Sequence, residues 1–234
     1  MAVKIYSRFE IFEIARETTG QAKNKKWFEY RKNKLTASLF GQAIRVYDNP
    51  TPLSIAALNL KIAGGVDLSH IEAIQWGREF EDTAIASYRV QTGCRVIPTG
   101  VWLFPDGNLA ASPDGLVTDC EYDPQPRGII EVKCPYSVRF EHFADMQSND
   151  NLPRYLTRDL QLNPKHDYYH QVQGQLYATQ AQYCDFVMWT TKSTYITRVY
   201  PDRKWVDECL PKLSGYLKRY YLPASVNASE DIRT

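Results

Sequence analysis

Two short segments constrain this chain most: Ser112-Pro113-Asp114-Gly115 and Ile129-Ile130-Glu131-Val132-Lys133. Side chains at i and i+2 of a strand share one face, so Glu131 and Lys133 point together while Ile130 and Val132 turn into the core. Asp114 belongs to the preceding strand, and the interval before Glu131 leaves room for a turn that brings a second carboxylate to the same spot. An acid, then an acid and a lysine on the next strand, is the layout of a metal-dependent phosphodiesterase site. Two hard oxygen ligands suit Mg²⁺, which combines carboxylates with water and substrate phosphate.

Length and composition agree with one buried core. The chain has 234 residues, 44% hydrophobic and 24% charged, which is ordinary for a globular protein. Its cysteines, Cys94, Cys120, Cys134, Cys184 and Cys209, are odd in number and show no CxxC spacing. That argues against a disulfide framework, a zinc ribbon or an iron–sulfur cluster, and for an intracellular, reducing compartment. Charges interrupt the apolar residues of the first segment, and Asn59 and Lys61 interrupt the most apolar stretch, Ile55 to Val66. Neither a secretory signal nor a membrane span is expected, so the Asn227-Ala228-Ser229 sequon is read as incidental. The net charge of +1 does not advertise a nucleic-acid binder, but its distribution is uneven. From Lys23 to Lys34, basic residues including Lys25, Lys26, Arg31 and Lys32 interleave with Trp27, Phe28 and Tyr30. Cations neutralise phosphates and aromatic faces stack on bases, although a solvated lysine-rich turn beside core aromatics has the same composition.

Periodicity predicts helices from Thr36 to Tyr47, Pro52 to Ala63 (ended by Gly64-Gly65) and His70 to Gln91. On the last of these, Glu81 falls in the middle of a side formed by Ile74, Gly77, Ala84, Ile85 and Tyr88, and an inward carboxylate needs a partner or a metal. Strands are predicted at 95–104, 109–118 and 128–134, a helical or irregular stretch at 137–164, a helix at 167–179, strands at 183–190 and 195–200, and a helix at 203–220. This order predicts a single α/β domain with a central mixed sheet flanked by helices: a helical part at 1–92, a strand-rich core at 93–200, a terminal helix at 201–222 and a loose tail at 223–234.

The set Trp27-(x)3-Arg31, Thr36-Ala37-Ser38, Trp76-Gly77-Arg78-Glu79-Phe80-Glu81, Ser112-Pro113-Asp114-Gly115, Glu131-Val132-Lys133-Cys134-Pro135 and Gln171-Val172-Gln173 resembles the phage lambda exonuclease and YqaJ-type recombinase family. This family lies within the PD-(D/E)xK nucleases, and the likeness runs from about Trp27 to Tyr200, nearest to the branch of animal genomes and large DNA viruses. The resemblance implies a restriction-endonuclease-like core and 5′-to-3′ digestion of one strand of linear duplex DNA, leaving a 3′ overhang. It further implies two Mg²⁺ ions (Mn²⁺ substituting), a ring-shaped homo-trimer and a single-strand annealing or recombination partner. Carried over residue by residue, Asp114, Glu131 and the Val132 carbonyl hold a cation, Glu81 serves a second one or its water shell, and Lys133 orients the attacking water. Gln171 binds that water or Lys133. Arg31 and Ser38, joined by Ser112, grip a 5′-terminal phosphate, Ile74 serves as an apolar wedge, and Lys25, Lys26 and Lys32 face the DNA. The interval from Lys133 to Gln171 is longer than in the phage enzyme, so 140–165 is read as an insertion.

His166 and His170 share a helical face at a zinc-compatible spacing, but no HExxH glutamate or cysteine pair accompanies them, and solvated or aromatic-packed imidazoles are the expectation. Tyr168, Tyr169, Val172 and Leu176 are read as core contacts of the same helix. Two alternatives keep the acid-acid-lysine site or its fold: an endonuclease, which would cut closed circles, and a catalytically silent module that binds DNA ends.

Overall fold

The computed structural model describes residues 4–64, 69–118 and 126–225; Gly65, Cys120 and the sequon at Asn227 lie outside the described residues. The helices are α1 (Arg8–Glu17), α2 (Lys25–Arg31), α3 (Phe40–Asp48), α4 (Pro52–Ile62), α5 (Glu72–Thr92), α6 (Phe143–Ser148), α7 (Asp167–Thr179) and α8 (Arg203–Tyr216). The strands are β1 (Leu35–Thr36), β2 (Val96–Ile97), β3 (Trp102–Leu103), β4 (Leu109–Ala111), β5 (Gly115–Val117), β6 (Gly128–Lys133), β7 (Tyr183–Trp189) and β8 (Thr194–Val199).

Five strands form the central sheet in the order β2-β5-β6-β7-β8. Only β6 and β7 run parallel within it, so the sheet is mixed, as the element order predicts. A second sheet, β1-β4-β3, was not expected. It arises because the two segments predicted as single strands are each divided: β2 and β3 are separated at Pro98, β4 and β5 at Pro113. Proline cannot donate to a ladder, so the chain leaves one sheet and enters the other at each of these points. Gly115 opens β5 with no room for a side chain, since a Cβ there would lie 2.5 Å from Val96 Cγ1.

Alternation along the central strands builds a core on both faces. Ile129, Cys184, Phe186 and Met188 face the larger core with α1, α3, α7 and α8, while Ile130, Val132, Val187 and Trp189 face Ala84 and Tyr88 of α5. Ile130 and Val132 are thus core residues, as predicted, but the opposite face is buried too, and Glu131 lies within it at 2% exposure. Helix α7 packs closely on α3 because Gly174 carries no side chain; a Cβ would lie 2.4 Å from Phe40 Cε2.

The helix predicted from Thr36 starts only at Phe40, behind a 3₁₀ turn at Ala37–Leu39. Segment 137–164 is largely irregular, with a 3₁₀ turn at Tyr136–Val138 and the short α6, yet it is anchored in the core through Phe143, Met146, Tyr155, Leu156 and Leu162. After α8 the chain makes a π-helical turn, Leu217–Tyr221, and residues 222–225 remain helical, so helix extends past the predicted boundary at 222. The described cysteines are free thiols, and no described helix is long and apolar enough to cross a membrane.

Candidate active site

The parallel pair β6 and β7 ends beneath α7, which lies across the face that carries Glu131 and Lys133. Asp114 enters from the Pro113 break just before β5: its N–H donates to Ile130 O at 3.0 Å, and its Oδ2 accepts the Val132 N–H at 2.7 Å. Glu131 Oε1 accepts from Lys133 Nζ and from Gln171 Nε2 at 2.6 Å, and Oε2 accepts from Gln175 Nε2 at 2.6 Å. The Lys133 ammonium also sits over the Tyr168 ring, 4.5 Å from its centre.

These groups share a cleft of about 210 Å³ with Glu81 of α5 and with Gln21, Trp27, Arg31, Ser38 and Ser112. Arg31 Nη1 donates to Ser112 Oγ at 3.3 Å, Trp27 Nε1 donates to the same oxygen at 3.2 Å, and the guanidinium lies over the Trp27 ring at 4.1 Å. A second lobe of about 260 Å³ continues past Glu81, Val132 and Lys133 to Ile74, Arg78 and Tyr155. The acid-lysine cluster therefore stands between a cationic lobe and one rimmed by Ile74.

The electrostatics follow from crowding. Burial raises Asp114 well above the usual carboxylate range, and repulsion from Glu131 and Glu81 adds to it. Glu81 is raised by burial first and by Glu131 second. For Lys133 the largest influence, burial, opposes the charge, but Glu131, Tyr168 and Asp114 together outweigh it and raise its pKa. Arg31 is pushed down to about 10 by burial alone. Three acids facing one lysine leave excess negative charge, which a cation would relieve.

Among the described residues, no three His, Cys, Asp or Glu side chains converge closely enough to hold an ion by themselves. Asp114 and Glu131 are turned toward protein donors. The donor set nevertheless fits Mg²⁺, which is commonly held by one or two carboxylates and completes its shell with waters and substrate phosphate. The Val132 contact seen here is its N–H, bonded to Asp114.

The structure brings together Glu81, Asp114, Glu131, Lys133, Gln171, Arg31, Ser38 and Ser112, with Ile74 in the adjoining lobe. It does not bring in the lysines. Lys26 pairs with Glu17 at 2.7 Å, and Lys25 and Lys32 are exposed outside the cleft lining, because α2 turns only its Trp27 and Arg31 side inward. Gln171 bonds Glu131, whereas the resemblance assigned it to water or Lys133. Three residues were missed. Gln175 follows Gln171 by one helical turn, so the i, i+4 pair was a readable signal. Trp27 was noted for stacking on bases yet supports Arg31, and Tyr168 was read as core yet carries Lys133. His166 Nδ1 caps α7 and His170 Nδ1 accepts from Trp205 Nε1 at 2.9 Å, and the rings pack against Tyr155, Tyr168 and Tyr169, one of the two expected settings.

The family model of the YqaJ-like viral recombinase domain matches residues 26–182, a span that contains every residue of this cleft except those of the α1–α2 connection. An uncharacterized protein of Acanthamoeba polyphaga mimivirus is 26% identical over 176 residues, 71% of this chain, and the chain spans only 29% of that relative's length. The crystal structure of an alkaline exonuclease from Laribacter hongkongensis is similar with a TM-score of 0.66 at 24% identity, covering 90% of this chain and 99% of that one. Its complex with dAMP gives 0.65 at 25% identity with the same coverage. A SOX–DNA complex gives 0.64 at 12% identity, covering 91% of this chain and 71% of that one, a likeness of fold.

Proposed function

Because the chain belongs to the family of YqaJ-like viral recombinase domains, we propose that it is a nuclease that digests one strand of linear duplex DNA from a 5′-phosphorylated end. The observation that carries this reading is a single cleft in which Asp114, Glu131, Glu81 and Lys133 adjoin Arg31, Ser38 and Ser112. The solved relatives support it by what they hold: dAMP in the bacterial alkaline exonuclease, and DNA or RNA in SOX.

In this reading Arg31 and Ser38 receive the terminal phosphate, with Ser112 holding the guanidinium in place. A planar guanidinium donates two parallel hydrogen bonds to a phosphate, and the Trp27 ring beneath it fixes its plane. Asp114 and Glu131 hold Mg²⁺ or Mn²⁺, and Glu81 serves a second ion or its waters. Bound there, the metal supplies Lewis acidity and an activated water. Lys133, fixed between Glu131 and Tyr168, donates to the attacking water or to a phosphoryl oxygen and offsets the charge that develops there. Water oxygen bonds to phosphorus, the P–O3′ bond breaks, and the released 3′ oxygen takes a proton. The shortened strand carries a new 5′-phosphate, so each cut regenerates the group that Arg31 binds. A homo-trimeric ring and a partner that anneals the exposed 3′ strand complete the proposal.

The deciding experiment incubates matched linear and closed circular duplexes with the protein in Mg²⁺, the linear one labelled at either end. Early loss of the 5′ label with the circle intact is expected. Cutting of the circle would favour an endonuclease, and no digestion of either with retained end binding would favour a silent module.

A further inference from the structure

Glu131 is held by three donors that are divided unequally between its oxygens. Oε1 receives Lys133 Nζ and Gln171 Nε2, whereas Oε2 receives Gln175 Nε2 alone. An ionised carboxylate offers about four acceptor positions, two per oxygen. Oε1 is therefore filled and Oε2 keeps one position open.

Gln175 is fully buried on α7, and its Nε2 also lies 3.3 Å from Ser112 O. Turning the carboxamide over would set its oxygen against two acceptors, Glu131 Oε2 and Ser112 O, so its neighbours dictate its orientation. The amide oxygen is then left buried and without a hydrogen-bond partner. A buried acceptor calls for a donor.

We propose that Gln175 is a positioning residue that couples the two ends of the cleft. Its N–H₂ group holds Glu131 with Oε2 open toward a cation, and also holds the Ser112 backbone, whose hydroxyl accepts from Arg31 and Trp27. A shift of either the carboxylate or the phosphate pocket is thereby felt by the other. This inference rests on the nuclease reading.

The test uses the full chain and does not depend on turnover. Mn²⁺ binding is followed by electron paramagnetic resonance. End preference is measured as the ratio of affinities for 5′-phosphorylated and 5′-hydroxyl duplex in Ca²⁺, by fluorescence anisotropy. Gln175→Met keeps length and volume but removes donor and acceptor; Mn²⁺ affinity should fall about tenfold or more, as for residues that support metal ligands. End preference should narrow as well, with circular dichroism unchanged. Gln175→Asn keeps the amide one methylene short of Glu131 and should shift both readouts the same way if the methionine variant does not fold. Asp114→Asn, which removes a ligand, should lose Mn²⁺ binding. A folded Gln175 variant with wild-type Mn²⁺ affinity and end preference overturns the inference, and does so without touching the nuclease reading if Asp114→Asn still loses the ion. Failure of both variants to fold makes Gln175 purely structural and also overturns it. A wild-type chain that binds no Mn²⁺ overturns both.

Discussion

Replacing Arg31 should separate recognition of an end from the chemistry of cutting. The guanidinium is half-buried in the cleft, is set over Trp27 at 4.1 Å, and is tethered to Ser112 Oγ at 3.3 Å. Desolvation lowers its pKa to about 10, so the site bears a partly desolvated cation that an anion would stabilise. A terminal phosphate carries roughly −1.5 to −2 charge near neutral pH, more than an internal diester. One charge-assisted hydrogen bond contributes about 1.5–3 kcal/mol, which is on the order of 10- to 150-fold in rate when it is made in the transition state. Arg31→Ala should therefore lower kcat/KM on 5′-phosphorylated linear duplex by roughly 100-fold. On 5′-hydroxyl duplex the loss should be only a few-fold, since no terminal phosphate is there to be gripped. Arg31→Met, which keeps most of the side-chain volume against Trp27, should match alanine and show that charge, not packing, is responsible. Initial rates on the two substrates for the wild type and both variants give the comparison. An equal loss on both substrates, or an unchanged preference for phosphate, would refute the assignment.

Asp114→Asn, Glu131→Gln and Lys133→Ala should each reduce nuclease activity by at least about 100-fold while DNA binding persists, and a chelator should abolish wild-type activity; degradation at wild-type rate in any of them would remove that residue from the mechanism. Gly174→Ala should lower stability by about 1–3 kcal/mol, read as a drop in melting temperature, because the added Cβ meets the Phe40 ring at 2.4 Å. A melting temperature equal to wild type would mean that α7 and α3 separate freely. His170 has its pKa lowered from 6.5, with burial the largest cause, so the unfolded chain binds its proton first as pH falls. Its contribution to stability is then full above 6.5 and declines below that value until the folded state protonates as well. Urea melts at pH 7.5 and 5.5 should show this loss, and His170→Gln, which still offers Trp205 an acceptor, should flatten the difference; an unchanged slope would clear His170 of it.

Much of the site was legible because its elements are local. The i, i+2 relation of Glu131 and Lys133 depends only on strand geometry, and both side chains do share a face. Glu81 was readable from helical period as an acid on an inward side, and it lines the cleft with them. The segmentation was less readable. Pro98 and Pro113 were visible, but that each transfers the chain from one sheet to another depends on where β1, β3 and β4 find partners, a long-range matter. The placement of the lysines was less readable for a similar reason: a run of positive charge says nothing about which side of α2 faces the cleft, and Lys26 pairs with Glu17.

What the sequence determined by itself was the local pattern: an acid and a lysine at strand spacing with a second acid upstream, an aromatic and basic segment ahead of Ser38, and the family in whose order these elements occur. Its reason is local, since strand period places Glu131 and Lys133 on one face with no reference to the rest of the fold, whereas Asp114 joins them through the pairing of β5 with β6. What only the tertiary structure decided was the wiring among them. Helix α7 must cross the parallel strands before Gln171 and Gln175 can divide the oxygens of Glu131 between them, and Ser112 must reach α2 before Arg31 and Trp27 can share its hydroxyl. These contacts join residues far apart in the chain, and buried polar groups find such partners only when packing has removed water as the alternative.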